Sequence, residues 1–263
     1  MKISYLNCEP VARLTELAAR MDLLASLGYQ GIELTARHPA DYPAEDVLAL
    51  CEKLRLPVVS VLSGWSYSNE GLCLCSSKAE VRARAVERLI EYVDFASRLK
   101  AVLVVGLMQG LRSDEPNEAV AAERITHCLR QVAEAAAQRN ATVVIEPVNH
   151  LQVGFHHTAD EVAEIVRQIG SPGLSYMLDT IHMNIEERSI LDTIRAHGRH
   201  IRHFHLCESS GGPFGSGNLD FPAVLDELEK SGYDRFVSVK IYRKLAWDEA
   251  ARNTARFLEL GSI

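Results

Sequence analysis

Four short β-rich runs carry ionisable side chains whose spacing could support chemistry. In Thr142–Asn149, TVVIEPVN, alternation puts Val144 and Glu146 on one face. In Leu174–Met183, LSYMLDTIHM, Met177 and Asp179 share a face, and in the run beginning Ile201-Arg202 the pair is His203 and His205. In Phe236–Arg243, FVSVKIYR, the pair is Ser238 and Lys240. If these runs are neighbouring strands, all four polar groups converge towards their carboxyl ends. Two carboxylates and an imidazole, Glu146, Asp179 and His205, are a donor set for a hard divalent cation. The competing reading is a structural charge network, but several charges beside apolar neighbours are costly to bury unless something pairs them. Glu33, in the run GIEL, points the same way while Ile32 and Leu34 face outward. It is either a substrate contact or a structural glutamate low in the fold.

The run containing His205 then breaks into Glu208-Ser-Ser and a turn with Gly211, Gly212, Gly215 and Gly217 around Pro213. A strand that delivers imidazoles and ends in close-approach backbone is how α/β folds build ligand sites. Glu208 is placed either to anchor that loop or to contact a substrate hydroxyl. Trp65 and Tyr67 follow the third strand on the same face and can form an aromatic wall for a sugar. His150, His156 and His157 lie in the loop after the fifth strand, on that face too. Cys207 shares the parity of His205, and nothing marks it as a nucleophile. Cys73-Leu-Cys75 is too closely spaced for an ordinary structural zinc pair and has no second pair, so its reading is structural.

The elements that must hold these residues alternate regularly. Strands are predicted at Ile3–Asn7, Gly31–Thr35, Val58–Leu62, Ala101–Leu107, Thr142–Asn149, Leu174–Met183, Ile201–Glu208 and Phe236–Arg243. Helices are predicted near Thr15–Leu27, Ala44–Leu54, Lys78–Leu99, Asn117–Asn140, Ala159–Ile169, Ser189–His197, Pro222–Ser231 and Trp247–Leu260. Thr158 followed by Asp160 and Glu161 is a helix start. Gly28, Gly170 and Gly232 sit where helices should stop. Eight strand–helix units without a linker predict a single-domain (β/α)8 barrel over 1–263. A doubly wound open sheet is the alternative, but Asn7-Cys8-Glu9-Pro10 after the first strand is not a phosphate-binding glycine turn.

Composition narrows the function classes. The 263 residues are 47% hydrophobic and 24% charged, within the range of a water-soluble globular domain. Net charge is −7 and no basic run occurs, which argues against a nucleic-acid partner. No apolar run reaches membrane-spanning length and no signal segment opens the chain, so the expectation is a cytoplasmic protein that does not engage a membrane. Six cysteines without a secretory signal fit reduced thiols in that compartment.

The motifs IEPVN around Glu146, LDTIHMNIEE around Asp179 and His182, and HFHLCESSGGPFGSGNLDF around His205 resemble those of the xylose-isomerase-like sugar isomerase/epimerase barrels. The nearest branch by these motifs is the ketose 3-epimerases of the D-tagatose/D-psicose type, and the likeness runs from ISYLN to the last helix. The resemblance implies a divalent metal, manganese ahead of magnesium, cobalt or zinc, on Glu146, Asp179, His205 and a second glutamate. It implies that His182 binds substrate. It also implies a reaction in which a proton beside the substrate carbonyl is removed to give a cis-enediolate and returned to the opposite face, with two glutamates as acid and base. Barrels of this family often form homodimers, although no motif here speaks to assembly. The superfamily's zinc endonuclease branch needs more ligands and a basic surface, and His38, His127, His197 and His200 fall on loops and helices away from the site.

The chain departs from the family at its most informative point. Lys240 stands where the second glutamate is expected, so one ligand and one proton carrier are replaced by an ammonium. Two glutamates, an aspartate and a divalent ion carry one net negative charge; so do Glu146, Asp179 and Lys240 with no metal. Three readings stay open. The metal still binds through three residues, with Lys240 as a base or enolate stabiliser. Alternatively, Lys240 works without metal, as a Schiff-base amine for instance, or the barrel is a catalytically silent sugar binder with an altered residue. A second departure is Gly211–Gly212, where epimerases of this type often have a substrate-binding arginine. The expected activity is isomerisation or epimerisation of a ketose or keto-acid, with Glu146 and Lys240 catalytic and Glu33, Trp65, His182 and Glu208 on the substrate.

Overall fold

The computed structural model of the chain describes residues 1–11, 13–243 and 245–261. Its eight strands are β1 (Lys2–Asn7), β2 (Gly31–Thr35), β3 (Val58–Leu62), β4 (Val102–Val105), β5 (Val143–Ile145), β6 (Leu174–Asp179), β7 (His203–Cys207) and β8 (Phe236–Lys240). All pair in parallel with their sequence neighbours, and β1 pairs with β8 to close the barrel. The (β/α)8 architecture expected from the alternation is therefore present. Around the strands run α1 (Leu14–Ser26), α2 (Ala44–Leu54), α3 (Gly64–Glu70), α4 (Ala79–Leu99), α5 (Glu118–Gln138) and α6 (Ala159–Ile169). The circuit is completed by α7 (Thr180–Glu186), α8 (Ile190–His197), α9 (Phe221–Lys230) and α10 (Trp247–Phe257).

Five strands stop earlier than the sequence pattern predicts: β7 at Cys207, β8 at Lys240, and β4, β5 and β6, these three for a local reason. β4 ends at Gly106, whose backbone turns to φ −115°, ψ −85° before a 3₁₀ turn at Leu107–Gln109. β5 makes one more ladder bond, Glu146 N–H to Val105 O at 2.9 Å, and then meets Pro147, which has no N–H to continue it. β6 ends at Asp179, whose Oδ1 accepts from the Ile181 N–H at 2.9 Å and so starts α7. The apolar run Ile181-His-Met183 is helical; a short apolar run reads as either type by periodicity alone. Helix α3, which carries Trp65 and Tyr67, is likewise additional to the eight expected. The predicted start and stop of α6 hold: Thr158 and Glu161 form a capping box, and Gly170 closes that helix at φ +64°.

The main core lies between strands and helices. The barrel interior is divided. Towards β4, β5 and β6 it is apolar, with Val104, Val144 and Met177 in a small cluster of their own. Towards β1, β2, β7 and β8 it is polar, with Ser4, Glu33, His203, His205 and Ser238 all buried. Ser4 and Ser238 hydroxyls share a 2.7 Å hydrogen bond there. A polar half-barrel is tolerated only because its members satisfy one another.

The register of β5 against β6 depends on a close approach. Gly173 O accepts from Val143 N–H at 2.9 Å. A Cβ on Gly173 would lie 2.2 Å from Ala133 O and 2.6 Å from Ala137 N of α5. Gly173→Ala is therefore expected to lower the free energy of unfolding by about 1–3 kcal/mol in urea denaturation, an overpacking penalty. An unchanged midpoint would mean that α5 yields without cost.

Candidate active site

The carboxyl ends of β5 to β8 bring together the groups that strand parity selected. Glu146 follows β5, Asp179 ends β6, His205 sits mid-β7 and Lys240 ends β8. Register pairs Asp179 with His205 and Cys207 with Lys240, so the lysine rises one layer above the imidazole. His205 Nδ1 lies 3.4 Å from Glu146 Oε1 and 3.4 Å from Asp179 Oδ2. His182, on α7, brings Nε2 to 3.6 Å from Glu146 Oε1 and 3.8 Å from Asp179 Oδ2. The Lys240 ammonium donates to Asp179 Oδ2. Glu146, Asp179, His182 and His205 are all buried, and the Lys240 side chain is 13% exposed.

Hydrogen bonds set the tautomers. Glu33 accepts from His203 Nε2 at 2.8 Å through Oε2 and from His205 Nε2 at 2.9 Å through Oε1. With Nε2–H committed to Glu33, a neutral His205 presents its Nδ1 lone pair to Glu146 and Asp179. On the other side, Asn149 Oδ1 accepts from the Leu151 N–H at 3.1 Å, which directs its Nδ2–H to His182 Nδ1 at 2.7 Å. A neutral His182 therefore carries its hydrogen on Nε2, as a donor aimed at the two carboxylates. Gly106 leaves room for the third member: a Cβ there would lie 2.5 Å from Glu146 Oε2.

The electrostatics follow from burial and close pairing. Burial alone would raise Asp179, but Lys240 and His182 hold it well below the usual carboxylate range. Burial opposes ionisation of Glu146 as well, and the close approach of His205 with the charge of Lys240 wins, so it too is lowered. Burial would strip the proton from Lys240, yet Asp179 and Glu146 keep it an ammonium well above its ordinary value. Glu33 is held low by His205 and His203 against its own burial. His205 is raised well above its ordinary value, burial being overcome by Glu33 first and then by Asp179 and Glu146. His182 is lowered by burial, which Asp179 only partly offsets.

These residues fit a divalent ion. Glu146 Oε1 and His205 Nδ1 are buried polar atoms without a well-aligned hydrogen-bond partner among the described residues, and Nδ1 faces both Glu146 Oε1 and Asp179 Oδ2. Acceptors that converge in a dry interior require a positive centre between them: a proton on His205 or a metal that displaces it. Ligand atoms on an ion with bonds of about 2.1 Å stand roughly 3.0–3.5 Å apart, which matches the observed 3.4 Å. Three protein ligands are thus available, and Lys240 is a neighbouring cation in place of a fourth.

Two substrate contacts expected from the sequence are placed otherwise. Glu33 is fully buried beneath His205 with both oxygens taken by histidines, so it reaches the site only through them. Glu208 is also fully buried. Its Oε1 accepts from Ser209 N–H at 2.9 Å and Leu219 N–H at 3.4 Å, and its Oε2 accepts from Gly215 N–H at 3.0 Å. It pins the glycine-rich loop, and Gly217 is needed because a Cβ there would lie 2.3 Å from Glu208 Oε1. Trp65 is half-buried on α3, with the Arg37 guanidinium 5.5 Å from its ring centroid. The loop histidines brace the scaffold: His150 pairs with Glu186 at 2.6 Å, and His157 Nδ1 donates to Val148 O at 2.8 Å. His156 Nδ1 contacts Gln109 Oε1 at 3.0 Å, while Gln109 Nε2 donates to Glu146 O at 2.9 Å. Cys8, not singled out in the sequence, lies near enough to Lys240 and His205 to feel their charge, and burial pushes its thiol up to about 11. Asn149 was visible only as the last letter of IEPVN.

The Xylose isomerase-like TIM barrel family model matches residues 21–260. An L-ribulose 3-epimerase of Mesorhizobium japonicum is 30% identical over 238 residues, 89% of this chain and 78% of its own. A hydroxypyruvate isomerase of Escherichia coli K12 is 24% identical over 84% of this chain and 86% of its own. A solved structure of an L-ribulose 3-epimerase superposes with a TM-score of 0.86 at 25% identity, covering 99% of this chain and 94% of that one. With the barrel closed and its polar mouth at the strand ends, the chain belongs to the xylose isomerase-like TIM barrel family, as an enzyme of the isomerase type.

Proposed function

We propose that the chain interconverts small polyol-like carbonyl compounds, ketoses or keto-acids, by metal-assisted proton transfer in carbohydrate metabolism. The observation that carries this reading is His205 Nδ1 standing 3.4 Å from both Glu146 Oε1 and Asp179 Oδ2, with Nδ1 and Glu146 Oε1 lacking a hydrogen-bond partner among the described residues. Glu146, Asp179 and His205 would hold a divalent ion, manganese first among candidates, and the ion would supply Lewis-acid polarisation of a carbonyl. The relatives named for ribulose epimerisation and hydroxypyruvate isomerisation support the substrate class.

Each residue has a role set by its protonation. Glu146, ionised and with one oxygen free, takes the proton from the carbon beside the carbonyl. Neutral His182, oriented by Asn149, donates Nε2–H to a substrate oxygen. Lys240 is held as an ammonium by Asp179, so it acts as a proton donor and a charge partner for a developing enediolate. That contact disfavours a Schiff-base role, which needs a neutral amine. A single carboxylate suffices to shuttle a proton between adjacent carbons, whereas inversion at one carbon needs a donor on the opposite face, the task left to Lys240. Trp65 supplies an apolar wall. The same reading keeps the protein in the cytoplasm, where six free thiols stay reduced, and a homodimer is its assembly.

Glu146→Gln is expected to cut kcat/KM by about 10²–10⁴-fold on ribulose or hydroxypyruvate while far-UV circular dichroism is unchanged. Full retained activity would remove Glu146 from the chemistry. Lys240→Gln is expected to tighten Mn2+ binding in equilibrium dialysis by at least about tenfold, because a unit charge a few ångströms from a divalent ion costs more than about 1.4 kcal/mol. If neither parent nor variant retains Mn2+, the three-ligand site is refuted. Glu33→Gln places an amide N–H against His203 and His205 and is expected to weaken Mn2+ binding by about 10–100-fold. Unaltered affinity would mean that Glu33 serves packing alone.

A further inference from the structure

A second cluster of ligating side chains takes no part in the chemistry above. Cys73 and Cys75 follow α3 on a stretch whose Leu74 N–H donates to Met108 O at 2.8 Å. Both are buried free thiols, with sulfurs 4.0 Å apart. Asp114 reaches them from the segment between β4 and α5, and one of its oxygens and the two sulfurs all lie within 4.8 Å of one another. That carboxylate is fixed beforehand: Oδ2 accepts from the Tyr67 hydroxyl at 2.8 Å and from the Leu111 N–H at 2.8 Å. Gly110, at φ +94°, presses its backbone on the pair; a Cβ there would lie 2.4 Å from Cys75 Sγ and 3.1 Å from Cys73 Sγ.

A buried cysteine is ordinarily a small hydrophobe. Two of them meeting a preset carboxylate on one point are a ligand set. Tetrahedral zinc with bonds of about 2.3 Å to sulfur separates two thiolates by roughly 3.8 Å, close to the spacing observed. The two-residue spacing that speaks against half of a four-cysteine site does not bear on a set whose third ligand comes from another loop. We propose that Cys73, Cys75 and Asp114 form a metal site of their own for a thiophilic divalent ion of the zinc class, tying the segment after α3 to the one after β4. Binding breaks both S–H bonds, forms two metal–sulfur bonds and releases two protons to solvent, leaving the fourth position to water. The donor types separate it from the barrel mouth, whose oxygen and nitrogen ligands favour a harder ion.

The test is a Co2+ titration of the full chain, followed by the near-ultraviolet sulfur-to-cobalt charge-transfer band that oxygen and nitrogen ligands cannot produce. The parent should develop the band to a saturating amplitude, and Zn2+ should bleach it. The double variant Cys73→Ser, Cys75→Ser should lose it, and Asp114→Asn should weaken Co2+ binding at least about tenfold. Cys8→Ser is the control for the mouth, because Cys8 and Cys207 both lie within the field of Asp179 and Lys240 there. A parent without the band, a band that survives in the double variant, or one lost in Cys8→Ser would each overturn the assignment. If the double variant fails to fold, Cys73→Ala and Asp114→Asn singly give the same comparison.

Discussion

Everything in this barrel mouth depends on one electrostatic requirement: lone pairs converging in a dry interior need a positive centre. His205 Nδ1 stands 3.4 Å from both Glu146 Oε1 and Asp179 Oδ2, and the Lys240 ammonium donates only to the last of these. Leaving such atoms unpaired costs more than most single interactions contribute, so the fold would not retain them without return. The polar half of the barrel is the support for that arrangement. Glu33 fixes the His205 ring from below, His203 shares the same carboxylate, and the serines of β1 and β8 close the floor. The apolar half, Val104, Val144 and Met177, keeps water out from the other side. A site divided in this way strengthens each charge interaction it contains.

Strand parity was enough to find Glu146, Asp179, His205 and Lys240, because the period of two is rigid and a parallel barrel aligns strand ends. It could not say how deep a residue sits. Glu33 has inward parity and Glu208 follows its strand on the opposite parity; depth turns the first into a prop for His205, and loop geometry turns the second into an anchor for backbone N–H groups. Those roles depend on partners 170 and 172 residues away for Glu33, and on the folded path of a glycine-rich loop for Glu208. Helices α3 and α7 were illegible for a related reason. Each is seven residues long, too short to display a helical period, and α7 begins only because Asp179 caps it.

The same capping shows how tightly function and fold are coupled at Asp179. One oxygen starts α7, which carries His182; the other meets Lys240 and faces His205. The helix that carries His182 is thus nucleated by a residue whose other oxygen belongs to the charge cluster of the mouth. Moving Asp179 would move both at once.

Lys240 is best understood by widening the charge inventory beyond the ligands. Counting Glu146, Asp179 and Lys240 alone leaves one negative charge, the same as a family site with its metal, and on that count the ammonium has replaced the ion. Glu33 changes the sum. It is ionised, buried and in contact with His205, so the full cluster of three carboxylates and one ammonium carries two negative charges. A protonated His205 neutralises one of them; a divalent ion with neutral His205 neutralises both. The lysine therefore does not satisfy the site alone, and the partnerless atoms are those it fails to reach. Its contact with Asp179 lowers the demand for a cation without ending it, which favours a metal held more weakly than four ligands would hold it.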